Sequence, residues 1–221
     1  MLLVPFRRVP LLTSFWLGAA ALLIAVAGLV APASALTVAP RDFDGLVSHA
    51  EIIFKGTVVA QTSLWTGGGS TRQIVTRVTF QVAETYKGTA ASPQTLEFLG
   101  GTVDGQTLLV PGLPKFVIGE TAVLFVVGNG QQICPLVGAF QGRFHVRKDA
   151  ATALERIYAH DGSPVMDTTR IGDAGKAKTD AASPAAVAAE SPLPADTFRQ
   201  RIAEKLRERR ALNLPEVARD N

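Results

Sequence analysis

Apolar and polar side chains alternate in several short runs between residues 51 and 158, and this alternation constrains the fold more than any other feature. A period of two is typical of strands that bury one face of a sheet. In the run from Gln73 to Tyr86, for example, Val78 and Phe80 share one face while Arg77 points to the other. The pattern therefore predicts a mainly β protein.

A further run in this region, from Glu120 to Val127, is almost wholly apolar, which is typical of a strand covered on both faces. Glycine-rich turns separate about six runs of these two kinds, as in small barrels and sandwiches. We therefore predict a small OB-like closed barrel of about five to six strands over residues 36–160. Residues 40–50 are predicted to form a helical turn that closes one end of this barrel.

The N-terminal residues predict export. Residues 1–10 include two arginines and no acid, residues 11–30 carry no charge, and the small residues Ala33 and Ala35 follow shortly afterwards. A basic segment, an apolar run and an A-x-A site are the three parts of a secretory signal peptide. The sequence therefore predicts a signal peptide over residues 1–35.

We expect cleavage between Ala35 and Leu36, because signal peptidase accepts only small side chains at the positions of Ala33 and Ala35. The protein would then be periplasmic or extracellular and would meet the membrane only transiently. The apolar run is also long enough to span a bilayer, so a retained N-terminal membrane anchor is the alternative.

The chain beyond the predicted barrel divides into three further parts. Much of residues 161–194 is rich in alanine, proline, serine and charged side chains, a composition that predicts a largely disordered linker. Residues 195–213 are predicted to form a basic amphipathic helix, and residues 214–221 a tail. In that helix Asp196 is the expected N-cap.

The apolar stripe of the C-terminal helix is narrow, because only Phe198, Ile202 and Leu206 recur at helical spacing. Docking of this stripe on the barrel is the simplest interpretation. The alternative is an interfacial helix that is attracted to a partner or to anionic lipid through its basic side chains.

The chemistry-bearing residues are few. Cys134 is the one cysteine, so it cannot form an internal disulfide, and we expect it to be a small buried apolar side chain. His49, His145 and His160 form no HExxH pattern, and the glycine clusters lack the ending of a phosphate loop. The sequence thus predicts no catalytic residue, no metal site and no cofactor, and we expect that the protein is not an enzyme.

Two features are candidates for partner binding. Trp65 lies beside three glycines at the tip of a predicted hairpin, where it would either contact a partner or fold back over the barrel rim. Gln141, Arg143, His145 and Arg147 alternate along one strand. They would form either an ordinary solvated face or a contact surface for an acidic partner. His145 would make such a surface sensitive to mild acid.

Four segments carry a resemblance to a known family: Ser48–Val58, Val82–Gly88, Gly119–Phe125 and Val137–Phe144. Their order resembles the OB-type barrel of the tissue-inhibitor-of-metalloproteinases and netrin-like superfamily, and more closely its exported bacterial relatives. The resemblance covers about half of the chain and implies a barrel that binds a protein. An envelope or secreted protease is the partner that the resemblance suggests.

The resemblance does not extend to the inhibitory residues of the animal proteins. Those inhibitors present an N-terminal cysteine to the protease metal and are braced by several disulfides. Here the predicted mature N-terminus is Leu36, and Cys134 has no second cysteine to pair with. The sequence therefore predicts docking on a partner without inhibition by that mechanism.

Taken together, these features favour an exported, noncatalytic binding module that engages a protein through barrel loops. One alternative is an OB module that binds carbohydrate or nucleic acid. The formal net charge of +3 is small for the second of these ligands, and nucleic acid is not the expected partner. The other alternative is an enzyme whose site is dispersed along the chain.

The predicted signal peptide gives a first testable expectation. The exported protein should begin at Leu36, because peptidase cleavage after Ala35 removes the basic and apolar segments. N-terminal sequencing and intact mass of the secreted species measure this directly. Recovery of the full-length chain from the membrane fraction would contradict cleavage and support the retained anchor.

Overall fold

The computed structural model describes residues 39–150, 152–172 and 191–212. The predicted signal peptide with Ala33, Ala35 and Leu36 lies outside these ranges, as do the predicted tail 214–221 and the part of the predicted linker between residues 173 and 190. Within the described ranges the protein is mainly β, as predicted, and no helix there is both long and apolar enough to cross a membrane.

Eight strands and two helices make up the described part of the chain. The strands are β1 Ile52–Thr66, β2 Gln73–Lys87, β3 Gln94–Leu99, β4 Gly101–Val103, β5 Gln106–Leu108, β6 Thr121–Val126, β7 Arg143–Lys148 and β8 Glu155–Tyr158. The helices are α1 Phe43–His49 and α2 Ala195–Ala211, with short 3₁₀ turns at Gly69–Thr71 and Thr168–Arg170.

Six strands form one antiparallel sheet in the order β3-β2-β1-β6-β7-β8, and β4 and β5 form a separate hairpin. Among the described strands the pairing does not close into a ring, so β3 and β8 are the edges of an open sheet. Register shifts interrupt the β1–β2 ladder near Phe54, Gly56 and Val58. Bulges of this kind bend a strand, which lets two strands of 15 residues curve along the sheet.

Strand β6 lies in the middle of the sheet and is buried on both faces, which confirms the prediction made from its apolar run. Val123 and Phe125 belong to one core cluster, together with residues of α1 and α2. Leu124 and Val126 belong to a second cluster on the other face. Both faces of the sheet therefore carry a core cluster, and each needs its own cover.

Helix α1 covers one end of the first cluster and forms as the sequence predicts. The carboxylate of Asp42 caps its N-terminus by accepting a hydrogen bond from the Gly45 amide at 2.7 Å. Phe43, Leu46 and Val47 are all buried against the sheet.

The last turn of α1 is held by a lysine from strand β2. The Lys87 ammonium donates to the carbonyl oxygens of Val47 at 3.1 Å, of Ser48 at 3.3 Å and of Ala50. Helix C-termini carry unpaired carbonyls and partial negative charge, so a cation at this place satisfies both. Gly88 follows with φ +68°, and a Cβ there would meet the Glu51 carbonyl oxygen at 2.4 Å. The Lys87-Gly88 pair is thus structural.

Helix α2 docks on the same face. Phe198 and Ile202 are fully buried, and the Phe198 ring lies 5.0 Å from Phe144 and 5.4 Å from Phe43, measured between centroids. An ion pair of 3.4 Å from Arg209 to Asp44 ties α2 to α1. Phe198 and Ile202 are therefore buried in the core, and they do not form the exposed apolar stripe that an interfacial helix would need.

The expected N-cap of α2 was wrong by two residues. Pro194 occupies the cap, where its fixed φ suits the extended conformation, and its carbonyl oxygen accepts the first helical hydrogen bond from Phe198. Asp196 lies in the first turn, where a carboxylate still interacts favourably with the helix N-terminus.

Both ends of the predicted linker pack on the sheet instead of extending into solvent. The Ile157 amide of β8 donates to the Leu193 carbonyl, and the Ile157 carbonyl accepts from the Val165 amide at 3.1 Å. The Leu193 amide in turn donates to the Val165 carbonyl. Val165 is buried, and burial of its apolar side chain stabilises this contact. The composition of the whole segment did not indicate this, because most residues around Val165 are polar or small.

The opposite edge of the sheet is covered by the loop that follows β6. The Leu99 amide of β3 donates to the Ile133 carbonyl at 2.8 Å, and the Asn129 side chain bonds backbone groups of Thr95 and Glu97. Covered edges leave few backbone groups for pairing with another chain.

The burial of Phe198 predicts that helix α2 is part of the folding unit. Phe198→Ala should reduce the free energy of unfolding by about 3–5 kcal/mol, since it removes a fully buried ring and leaves a cavity. Arg207→Ala, on an exposed position of the same helix, should change it by less than about 0.5 kcal/mol. Urea unfolding measures both, and equal small effects would show that α2 is a peripheral addition.

Candidate binding groove

The long β1–β2 hairpin extends well past the strand that supports it. Strand β1 pairs with β6 only from Ile52 to Thr57, whereas its pairing with β2 continues to Thr66. The remaining nine residues correspond to about 30 Å of strand. The hairpin therefore projects beyond β6 and carries Trp65 near its tip.

Trp65 is half-buried between two hairpin tips. Its indole nitrogen donates to the carboxylate of Asp104, in the turn between β4 and β5, at 3.3 Å. The guanidinium of Arg72 lies 4.1 Å from the centre of its ring. Trp65 thus joins the β1–β2 hairpin to the β4–β5 hairpin. The sequence left open whether Trp65 contacts a partner or folds back on the protein, and its half-buried position is compatible with both.

A cavity of about 400 Å³ lies below these tips. We call it the hairpin groove, and we define it by its lining side chains Gln61, Thr76, Phe98, Leu109, Leu113 and Phe116. Its floor is the second core cluster, in which the Phe116 ring packs 5.4 Å from Phe80 and 5.1 Å from Phe98. The groove is therefore an opening in the apolar interior on one face of the sheet.

Exposed apolar side chains lie in this groove or close to it along the chain: Leu109 lines it, and Val117 and Ile118 directly follow its lining residue Phe116. Leu109, Val117 and Ile118 expose 69%, 66% and 65% of their surface, and Val59 exposes 47%. The Gly119 amide donates to the Val58 carbonyl at 2.8 Å, which brings Ile118 and Val59 to neighbouring backbone positions. Exposed large apolar side chains beside an apolar opening are the kind of feature at which proteins commonly associate.

The loop that carries Val117 and Ile118 is held by the polar side chains of Arg143 from β7 and Gln61 from β1. Arg143 donates from Nη1 to the Lys115 carbonyl at 2.8 Å, and its guanidinium lies 4.3 Å from the centre of the Phe116 ring. The Gln61 amide donates to the Phe116 carbonyl at 2.8 Å. These contacts fix the loop on its inner side while its apolar side chains remain outside.

The charge of Arg143 is balanced by Glu120. The Glu120 carboxylate accepts hydrogen bonds from Arg143 Nε at 3.2 Å and from Nη2 at 2.5 Å. Nδ1 of His145 lies 3.1 Å from the same oxygen. Burial acts to raise the pKa of Glu120, but the bonds from His145 and Arg143 outweigh it and hold this pKa below its ordinary value.

The polar stripe predicted along β7 is therefore not a uniform solvated face. Arg143 is only 5% exposed, because the loop before β6 folds over it, and His145 is half-buried beside Glu120. Arg147 is exposed, with its guanidinium 4.6 Å from the centre of the Tyr158 ring. Gln141 precedes the strand and bonds the Arg41 amide and the Ala39 carbonyl.

The four predicted partner-binding residues do not form one surface. Trp65 contacts Arg72 and Asp104, Arg143 and His145 share Glu120, and Arg147 contacts Tyr158. The sequence reasoning missed the apolar residues beside the groove. The sequence feature that could have indicated them is the adjacent pair Val117-Ile118. It lies in a segment rich in turn-forming residues, where no strand alternation accounts for two apolar side chains.

The described ranges contain no group of three or more histidine, cysteine or acidic side chains that could hold a metal ion. Cys134 is buried, as expected, and this burial raises the pKa of its thiol to about 12. The thiol is therefore protonated and inert at neutral pH.

Comparison with protein-family models gives no match for this chain, and comparison with curated proteins gives none either. The resemblance to the netrin-like superfamily therefore depends on the sequence segments quoted above.

Burial of Arg143 predicts a structural effect where the sequence predicted a binding effect. Arg143→Ala should reduce the free energy of unfolding by about 3 kcal/mol, because it leaves Glu120 partly buried without its main partner. Arg147→Ala removes an exposed arginine from the same strand and should cost less than about 1 kcal/mol. Equal losses of unfolding free energy for the two variants, measured by urea unfolding, would contradict a buried Arg143–Glu120 ion pair.

The lowered pKa of Glu120 gives the protein a defined pH dependence. A carboxyl group whose folded pKa is depressed adds stability above its unfolded value, near 4.5, and loses it as the pH falls through the folded value. Glu120→Gln should therefore be less stable than the unaltered protein at neutral pH, and the difference should shrink below pH 4.5. Thermal unfolding across this range measures it, with Glu97→Gln, which removes a more exposed ion pair, as the control.

Proposed function

We propose that this chain is an exported, noncatalytic binding module that holds a protein partner at the hairpin groove. The observation that carries the proposal is an opening into the core that exposed Leu109 lines and that the exposed pair Val117-Ile118 follows in the chain. Burying such a surface against a partner releases water from apolar area, which is the main favourable term in protein association.

The mode of binding follows from the sheet edges. Addition of a partner strand needs unpaired backbone groups, and both edges are engaged, β8 with residues 163–165 and 192–194 and β3 with the loop after β6. Side-chain contacts at the groove are therefore the favoured mode. A partner segment with one large apolar residue would place it between the hairpin and residues 109–118.

We further propose that the curved sheet is an OB-like barrel in which the chain completes the closure without a strand ladder. The shifts in β1 supply the bend, and the hydrogen bond from Leu99 to Ile133 links edge strand β3 to the loop that follows central strand β6. The second core cluster then corresponds to the barrel interior, and the hairpin groove to its mouth. Barrel mouths are frequent ligand sites.

The resemblance to the protease-inhibitor superfamily makes an envelope or secreted protease the first partner to examine. We propose that such a protease is docked and not inhibited, since no cysteine lies at the predicted N-terminus. An activity assay with saturating protein separates docking from inhibition.

A site-specific photocrosslinker tests the groove in the native envelope. A benzoylphenylalanine at position 118 should give one discrete crosslinked protein, because Ile118 would lie in the interface. The same group at position 154 is the matched control, since Leu154 is also an exposed apolar residue but lies in the turn before β8. Equal products from both positions would argue against a specific surface.

Two variants then test which side chains bind. Ile118→Asp should reduce crosslinking from position 117 by tenfold or more, as expected for a charge placed in an apolar interface. Trp65→Ala should also weaken binding of the partner, by about 2 kcal/mol, and should leave the melting temperature nearly unchanged. A Trp65→Ala protein that melts much earlier yet still binds its partner would show that Trp65 acts only in holding the two hairpins together.

A further inference from the structure

A second cavity, of about 430 Å³, lies on the face of the sheet that α1 and α2 cover. We call it the His160 cavity, and its apolar lining is formed by Phe140, Phe144, Pro164, Val165, Met166 and Ile171. Phe144 and Val165 are core residues, so the cavity extends to the first core cluster. A volume of this size lies within the range of sites that hold small organic molecules.

The walls of this cavity are fixed by specific contacts. Gln141 accepts from the Arg41 amide at 2.8 Å and donates to the Ala39 carbonyl at 3.0 Å, which anchors the chain before α1 as one wall. Gly172 passes so close to this wall that a Cβ would lie 2.6 Å from the Arg41 carbonyl oxygen. The cavity is therefore a built feature of the fold, with little freedom to collapse.

The acidic groups of the cavity are already satisfied by their own turns. Asp161 accepts from the Ser163 amide at 2.9 Å and from its hydroxyl at 2.6 Å. Asp167 accepts from the Thr169 amide at 2.9 Å and caps the turn that follows. Both carboxylates therefore have hydrogen-bond donors without any ligand.

Two groups with donor capacity remain available. The ring of His160 contacts Phe140 with centroids 4.3 Å apart and ring planes inclined by 46°. His160 interacts electrostatically with Asp161, and Arg170 with Asp167, and both groups keep N–H donors that can reach a ligand. Partial burial lowers the pKa of His160, so its ring is neutral at neutral pH and offers one donor and one acceptor. Arg170 offers a permanent positive charge at the exposed side.

We propose that the His160 cavity binds a small organic acid, with its apolar body among the lining side chains and its carboxylate at Arg170 and His160. The apolar lining requires a hydrocarbon body, and the exposed ring edges of Phe140 and His160 suit an aromatic one. Arg170 is a permanent cation and the His160 ring has an N–H donor, and an anionic acceptor can bond both. This site is distinct from the hairpin groove, which opens on the other face of the sheet.

Naphthoate and its uncharged analogue naphthalenemethanol test the proposal with the full chain. We expect naphthoate to bind at one saturable site and to shift the backbone NMR signals of Phe140, Phe144 and Val165. The alcohol should bind about tenfold more weakly, because it cannot form a charge-assisted pair with Arg170. Equal affinities, no saturable binding, or shifts confined to residues 98–116 would overturn the proposal.

Three variants separate the charge from the apolar lining. Arg170→Gln should lower naphthoate affinity about tenfold and leave the alcohol unchanged, while Arg207→Gln, an exposed arginine on α2, should change neither. Met166→Trp should fill the cavity and abolish both, with Met166→Phe as a smaller substitution if the first does not fold. An Arg170→Gln protein that binds naphthoate as tightly as the unaltered chain would refute the assigned role of Arg170.

Discussion

The burial of strand β6 on both faces is the constraint on which the rest of the structure depends. An antiparallel sheet with one apolar face needs one cover, but alternate residues of β6 point into two separate clusters. The helices α1 and α2 cover Val123 and Phe125, whereas the curved β1–β3 strands and Phe116 cover Leu124 and Val126. Segments far apart in the chain, including the C-terminal helix, are therefore parts of one cooperative unit.

The cover on the second face also explains the groove. Phe116 packs into that cluster, and Arg143 and Gln61 hold it there by bonding the carbonyl oxygens of Lys115 and Phe116. A buried ion pair adds little net stability over apolar residues of similar volume, but its geometry admits few alternatives. The Arg143–Glu120 pair thus fixes one loop conformation, in which Phe116 points inward and Val117 and Ile118 remain at the surface.

The sequence predicted those features of the fold that depend on residues close together in the chain. The helical turn within residues 40–50, the burial of Cys134 and the doubly covered run at 120–127 depend on neighbours in the chain, and each is confirmed. Arg143 failed as a predicted surface residue because its cover comes from Lys115 and Phe116, a contact between segments that alternation cannot reveal. For the same reason the sequence indicated no cavity, since residues 40–41, 140–144 and 159–172 meet only in three dimensions.

The two cavities share one polar network although the sheet separates them. Arg143 fixes the loop beside the hairpin groove, and His145, two residues along the same strand, places Nδ1 at 3.1 Å from Glu120 and Nε2 at 3.3 Å from the His160 carbonyl. Both partners of the His145 ring are acceptors, so the ring satisfies both only in its doubly protonated form. The side chain of His145 therefore joins the carboxylate that holds the loop beside the hairpin groove to the backbone at the wall of the His160 cavity.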